Sequence, residues 1–250
     1  MADVKFPSEI VSLPSQGKYY TEDNPLKSGK IEIKYPTAQE EDILTSQNLI
    51  KRGVVIPYFL KALFVDSTIN LDTMLLGDKN ALMIVARILA YGNQYNYSYT
   101  CSGCGEKNEE IVNLNEFPEK EFTFVEVFEF KLPVSNRDIT FKLLTHADER
   151  AIETDVKALR KALGGLVDHE FTTRLKCLIV TLDGETDRTK INNFVDNEFL
   201  SQDSLQFRNY LDTVTPNVEM VTEVECKLCG YEEEITVPLT VQFFWPTARI

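Results

Sequence analysis

An α+β fold is what this sequence predicts, and three observations carry the prediction. Two stretches far apart in the chain, Cys101-Ser102-Gly103-Cys104-Gly105 and Cys226-Lys227-Leu228-Cys229-Gly230, each hold two cysteines separated by two residues, with a glycine directly after. Each is flanked by residues that alternate apolar and polar, the period of a strand, while the remaining stretches carry apolar residues at three- and four-residue spacing, the period of a helix. The pattern predicts a pair of β-hairpins meeting at one four-sulfur site, with a helical part before them and a helical subdomain inserted between them.

Residues 1–29 interleave prolines with single apolar residues in Phe6-Pro7-Ser8 and Leu13-Pro14-Ser15. Proline fixes φ and removes a donor, so this reads as an extended arm with few ladder bonds, lying across its own domain or reaching a neighbour. Residues 30–92 form the N-terminal strand and helical region. Ile31, Ile33 and Tyr35 alternate with charged residues as a half-buried strand, and Thr37-Ala38-Gln39-Glu40 has the capping-box layout of a helix start. Two more helices are expected near residues 57–64 and 78–91, the latter apolar nearly all round and so central to the core.

Residues 93–144 hold the first knuckle hairpin and the strands that follow. Tyr95, Tyr97 and Tyr99 alternate into Cys101, and Ile111 and Val112 return from Cys104. Strands are expected over 122–132 and 138–144, separated by Ser135-Asn136-Arg137. Residues 145–216 read as a helical subdomain with helices over about 147–162, 170–182 and 201–215. Residues 217–250 repeat strand, knuckle and strand, then end in Phe243-Phe244-Trp245-Pro246, aromatics that either finish the core or anchor a partner.

The chemistry of the knuckles is specific. A glycine after the second cysteine reaches φ > 0 without penalty and leaves amide groups free to point at the sulfurs. Four thiolates, Cys101, Cys104, Cys226 and Cys229, complete a closed tetrahedral site, and soft sulfur ligands favour a structural Zn2+, with iron the lesser alternative. A redox pair or two disulfides are the competing readings, and the matched glycines favour metal. Cys177 lies in an apolar run and reads as a buried thiol.

The net charge of −13 disfavours binding to nucleic acid or an anionic membrane. No apolar run approaches the roughly 20 residues that cross a bilayer, and the first residues lack a secretory layout, so folding in a reducing cytosol is expected. Neither a nucleophile elbow nor a phosphate-binding glycine loop is found, and His146 and His169 fall at expected helix starts, where a solvated or capping role is the ordinary one. A non-enzymatic protein is expected.

Taken together, Phe6-Pro7-Ser8, Leu13-Pro14-Ser15-x-Gly17, Thr37-Ala38-x-Glu40-Glu41-Asp42-Ile43-Leu44, Tyr91-Gly92, Cys226-x-x-Cys229-Gly230, Val237-Pro238-Leu239-Thr240-Val241 and Phe243-Phe244-Trp245-Pro246 give the chain its likeness. It resembles the small baseplate proteins of T-even-like contractile-tailed bacteriophages, described as baseplate hub subunits or hub assembly proteins. The resemblance implies a protein made in the infected bacterial cytoplasm, with other tail or baseplate hub proteins as partners and a place in the virion or in its assembly. It brings no catalytic residues. Partner contacts are then expected from the arm, through Phe6, Pro7, Leu13 and Pro14, and from the aromatic end, through Phe243, Phe244 and Trp245. A zinc-ribbon adaptor that recruits a host factor is the alternative, and an enzyme with a site hidden in the core is the third.

Overall fold

The structure, a computed structural model, describes residues 7–239 and 241–244. It divides into two compact units, one comprising the residues up to Leu71, Gly77–Lys120 and those from Asn217 on, the other Asp72–Leu76 and Glu121–Pro216. Among the described residues no helix is long and apolar enough to cross a membrane.

The first unit opens with a ladder where an arm with few ladder bonds is expected. Strand β1 (Ser8–Ser12) pairs antiparallel with β2 (Lys30–Lys34) along its whole length. Pro7 and Pro14 bracket the strand instead of interrupting it, so five proline-free residues keep every donor the ladder needs. Beyond β1 the chain folds back on itself. Leu13 N–H donates to the Gly29 carbonyl at 2.9 Å, and Gly17 sits at φ +74°, where a Cβ would come within 2.2 Å of the Lys27 carbonyl oxygen. Only glycine permits two backbones to approach that closely. The loop is fixed by the buried Asp78, which accepts from Ser15 N–H at 2.9 Å, the Ser15 hydroxyl at 2.7 Å and the Tyr20 hydroxyl at 2.6 Å.

The expected capping box is present at α1 (Ala38–Thr45), where Thr37 Oγ1 accepts from Gln39 N–H while Glu40 accepts from Thr37 N–H at 2.9 Å. The short α2 (Gln47–Arg52) follows, then α3 (Val55–Leu63) and the central α4 (Leu76–Tyr91). Strands β3 (Gln94–Thr100) and β4 (Lys107–Asn113) make the first knuckle hairpin.

The second unit is not purely helical. Its three-stranded antiparallel sheet has the order β5 (Glu129–Lys131), β6 (Asp138–Phe141), β7 (Ile179–Leu182), and residues of α5 (His146–Ala162), α6 (Glu170–Leu178), α7 (Arg188–Asn197) and α8 (Ser201–Val214) share its core. The helix expected over 170–182 stops at Leu178 because Ile179-Val180-Thr181 is a β-branched run that suits a strand. It is held by the Thr140 and Thr181 hydroxyls, 2.7 Å apart. The strand expected over 122–132 shrinks to three residues, since the backbone before it bonds singly to distant segments, as Thr123 N–H does to the Thr213 carbonyl. Strands from 121–144 therefore belong with the helices, and one core gathers Leu132, Ile139, Phe141, Ile179, Phe194 and Phe207. His146 is buried in the first turn of α5, which Thr145 caps, where a solvated or capping role is expected of it. Among the described residues neither ring nitrogen has a hydrogen-bond partner, and Nδ1 lies 3.5 Å from Glu149 Oε2.

Asp203, buried in the first turn of α8, accepts from Val134 N–H at 2.7 Å and Ser135 N–H at 3.0 Å, fixing the turn between β5 and β6. Burial pushes its carboxyl up, but these donors outweigh it and hold it below the usual carboxylate range. A folded pKa below the unfolded one gives stability that is complete above the unfolded value and lost as pH falls through the folded value. Asp203→Ala is expected to cost about 2 kcal/mol at neutral pH, read as roughly thirty-fold faster exchange of the Val134 and Ser135 amides, with the deficit shrinking below about pH 4. Unchanged exchange of those two amides would show that the carboxylate does not hold the turn.

The chain then returns to the first unit, where β8 (Val221–Glu225) and β9 (Glu232–Thr236) make the second knuckle hairpin.

Candidate metal centre

The two hairpin tips are built alike. In the first, Cys101 N–H donates to the Glu106 carbonyl at 2.9 Å and Gly105 N–H to the Cys101 carbonyl at 2.8 Å. In the second, Cys226 N–H donates to Tyr231 at 2.9 Å and Gly230 N–H to Cys226 at 2.8 Å. Gly105 and Gly230 both occupy the left-handed region, at φ +76° and +70°. This is the backbone reason for a glycine after each second cysteine.

The tips dock through side chains from each other's strands. Glu233 on β9 accepts from Ser102 N–H at 2.9 Å and from its hydroxyl at 2.6 Å. Asn108 on β4 donates to the Cys226 sulfur at 3.4 Å and accepts from Lys227 N–H at 3.3 Å. Lys227 Nζ reaches the Glu109 carbonyl at 2.7 Å and Glu110 at 2.9 Å. Gly103 lies against the Tyr231 ring, where an added Cβ would stand 2.9 Å from ring carbon.

This docking brings all four cysteine sulfurs within 4.8 Å of one another. Cys101 and Cys229 sulfurs are 3.7 Å apart, as are those of Cys104 and Cys226. A disulfide would need about 2.0 Å, and the cysteines are free. A tetrahedron with metal–sulfur bonds of about 2.3 Å has edges of roughly 3.8 Å. The spacing fits a tetrahedral thiolate site.

The electrostatics point the same way. N–H groups of Cys229 and Leu228, with Asn108 after them, hold the Cys226 thiol down at about 6. Glu106 N–H pulls on Cys104 too, but the neighbouring sulfurs, Cys229 foremost, and burial override it and push Cys104 up to about 12. The Cys229 thiol is raised as well: Tyr231 N–H pulls it down, but desolvation, followed by the Cys226 and Cys101 sulfurs, outweighs that donor. One thiolate forms readily and further ones meet its charge. A cation among the sulfurs removes that conflict.

The residues expected to anchor partners fall into three groups. Leu13, Pro14, Phe243 and Phe244 are buried in the first unit, so their apolar surface is already used in packing. Pro7 is exposed, while Phe6 and Trp245 lie outside the described residues. Arg87, overlooked in the pattern, donates from Nε to the Phe243 carbonyl at 2.9 Å and from Nη1 to the Gly92 carbonyl at 2.8 Å. The signal was a lone arginine inside the apolar run 81–90, since a buried guanidinium needs acceptors. Asn108, Glu233 and Lys227 carried no such signal, because exposed polar residues on strands are commonplace.

A family model described as T4 bacteriophage base plate protein matches residues 8–245, nearly the whole chain. No curated protein and no solved structure matches it.

Proposed function

The chain belongs to the T4 bacteriophage base plate protein family, and we propose that it serves the baseplate hub as a non-enzymatic structural or assembly protein, chaperone-like in the latter case, whose frame is pinned by one structural Zn2+. The observation that carries this reading is the meeting of Cys101 and Cys104 with Cys226 and Cys229, from hairpins distant in sequence. A Cys₄ set is closed: it offers no position for an attacking water, so the ion would supply architecture and not chemistry. The partners under this reading are other hub or tail proteins, met in the cytoplasm of the infected bacterium before or as the virion forms.

Elemental analysis of the purified protein is expected to find one zinc per chain, and capture from infected cells is expected to bring down tail proteins. Mass spectrometry of purified virions then separates a resident, present at fixed copy number, from a helper that leaves. A preparation free of bound metal sinks the zinc reading. Capture of host enzymes in place of tail proteins sinks the hub reading.

A further inference from the structure

We infer that the outer edge of β1 is a strand-docking site for an extended segment of another protein, apolar at alternate positions and carrying lysine or arginine between them. The register of β1 with β2 decides which backbone groups are free. Leu13 N–H bonds to Gly29 and the Pro7 carbonyl accepts from Tyr35 N–H at 3.0 Å, so the odd-numbered residues of β1 form the hydrogen-bonded pairs with β2. The N–H and C=O groups of Ser8, Ile10 and Ser12 therefore point the other way, and among the described residues no strand pairs there. Three donors and three acceptors at strand spacing are what an added strand takes.

That edge borders a groove of about 410 Å³ in the same unit, lined by β1 and by Ala81, Ile84, Val85 and Ile88 of α4. Ile10 stays 64% exposed beside it. Backbone groups alone would accept any strand, but the apolar α4 wall selects apolar alternate side chains. Glu9 and Glu119, both exposed on the rim and without an ion pair among the described residues, select cations between them. The inference stands on β1 and α4 and does not depend on the metal or on the hub assignment.

The test uses the full chain and a fluorescent peptide of about nine residues alternating valine with lysine, beside a counterpart alternating valine with glutamate. The lysine peptide is expected to bind and to slow exchange of the Ser8, Ile10 and Ser12 amides, while the glutamate peptide binds at least ten-fold more weakly. Ile10→Pro removes one outward donor without touching the β2 ladder and is expected to weaken binding at least ten-fold with the melting curve unchanged. Should that variant fail to fold, Ile88→Lys, which puts a cation into the groove, is expected to give the same loss. Equal binding of both peptides, protection confined to other amides, or undiminished binding by the folded variants overturns the proposal. So does protection of the three amides without peptide, whether from the chain's own ends in a monomer or from a second copy in a concentration-dependent dimer.

Discussion

On the proposed zinc reading, replacing Cys226 with serine will abolish metal loading and lower the melting temperature of the first unit by on the order of 10 °C or more. Of the four sulfurs this one is the most deeply engaged: buried, it accepts from Asn108 and from the Cys229 and Leu228 N–H groups, and its thiol is drawn down to about 6. A serine hydroxyl does not ionise near neutrality and is a poor match for a thiolate site. The three remaining cysteines would then surround an oxygen that cannot close the tetrahedron. Cys177→Ser is the control, because Cys177 lies in the other unit, 3.6 Å from Asp148. It should leave both metal content and melting of the first unit unchanged. Loading of the native site should also release protons, since Cys104 and Cys229 hold theirs through neutral pH. Affinity measured with a competing chelator is therefore expected to rise with pH. A Cys226→Ser protein that keeps its zinc and its melting curve would remove the metal from this account.

Apart from the meeting of the two knuckles, which four matched sulfurs imply, what the sequence made legible was local. Each Cys-x-x-Cys-Gly tip reads from five residues, and Gly105 and Gly230 take the left-handed conformation that the spacing calls for. The capping box at Thr37 and Glu40 is equally local. What depends on register between distant strands was not legible. Glu233 meets Ser102 only because two hairpins dock in one particular alignment, and nothing in either segment announces it. The prolines misled for the opposite reason: Pro7 and Pro14 signal a poor ladder, yet they stand just outside the strand they seemed to forbid. Strand β7 was hidden behind a helical run that continues into it, and α7 escaped although Asp187 caps it and Ile191, Phe194 and Val195 share one face. Short elements carry too little periodicity to outweigh their neighbours.

Phe243→Ala and Phe244→Ala will each destabilise the first unit by about 3–5 kcal/mol. Both side chains are fully buried. Phe244 meets Phe59 of α3 edge to face at 5.0 Å, and Phe243 meets Tyr95 of β3 at 4.8 Å, so the end of the described chain joins the helical core to the first knuckle hairpin. Arg87 fastens the same place through the Phe243 carbonyl and through Gly92, where the chain leaves α4 for β3. Its guanidinium also lies over the Tyr91 and Tyr95 rings, at 5.2 and 5.9 Å. Because Phe243 and Arg87 share partners, Arg87→Met combined with Phe243→Ala should cost less than the two separate losses added together. Amide exchange resolved along the first unit is the suitable measurement, since melting of a two-unit chain need not be one transition. The expected signature is faster exchange in both α3 and β3. If instead both alanine variants exchange like the native protein while losing a tail-protein partner, the aromatic end belongs to an interface and the packing described here does not govern it.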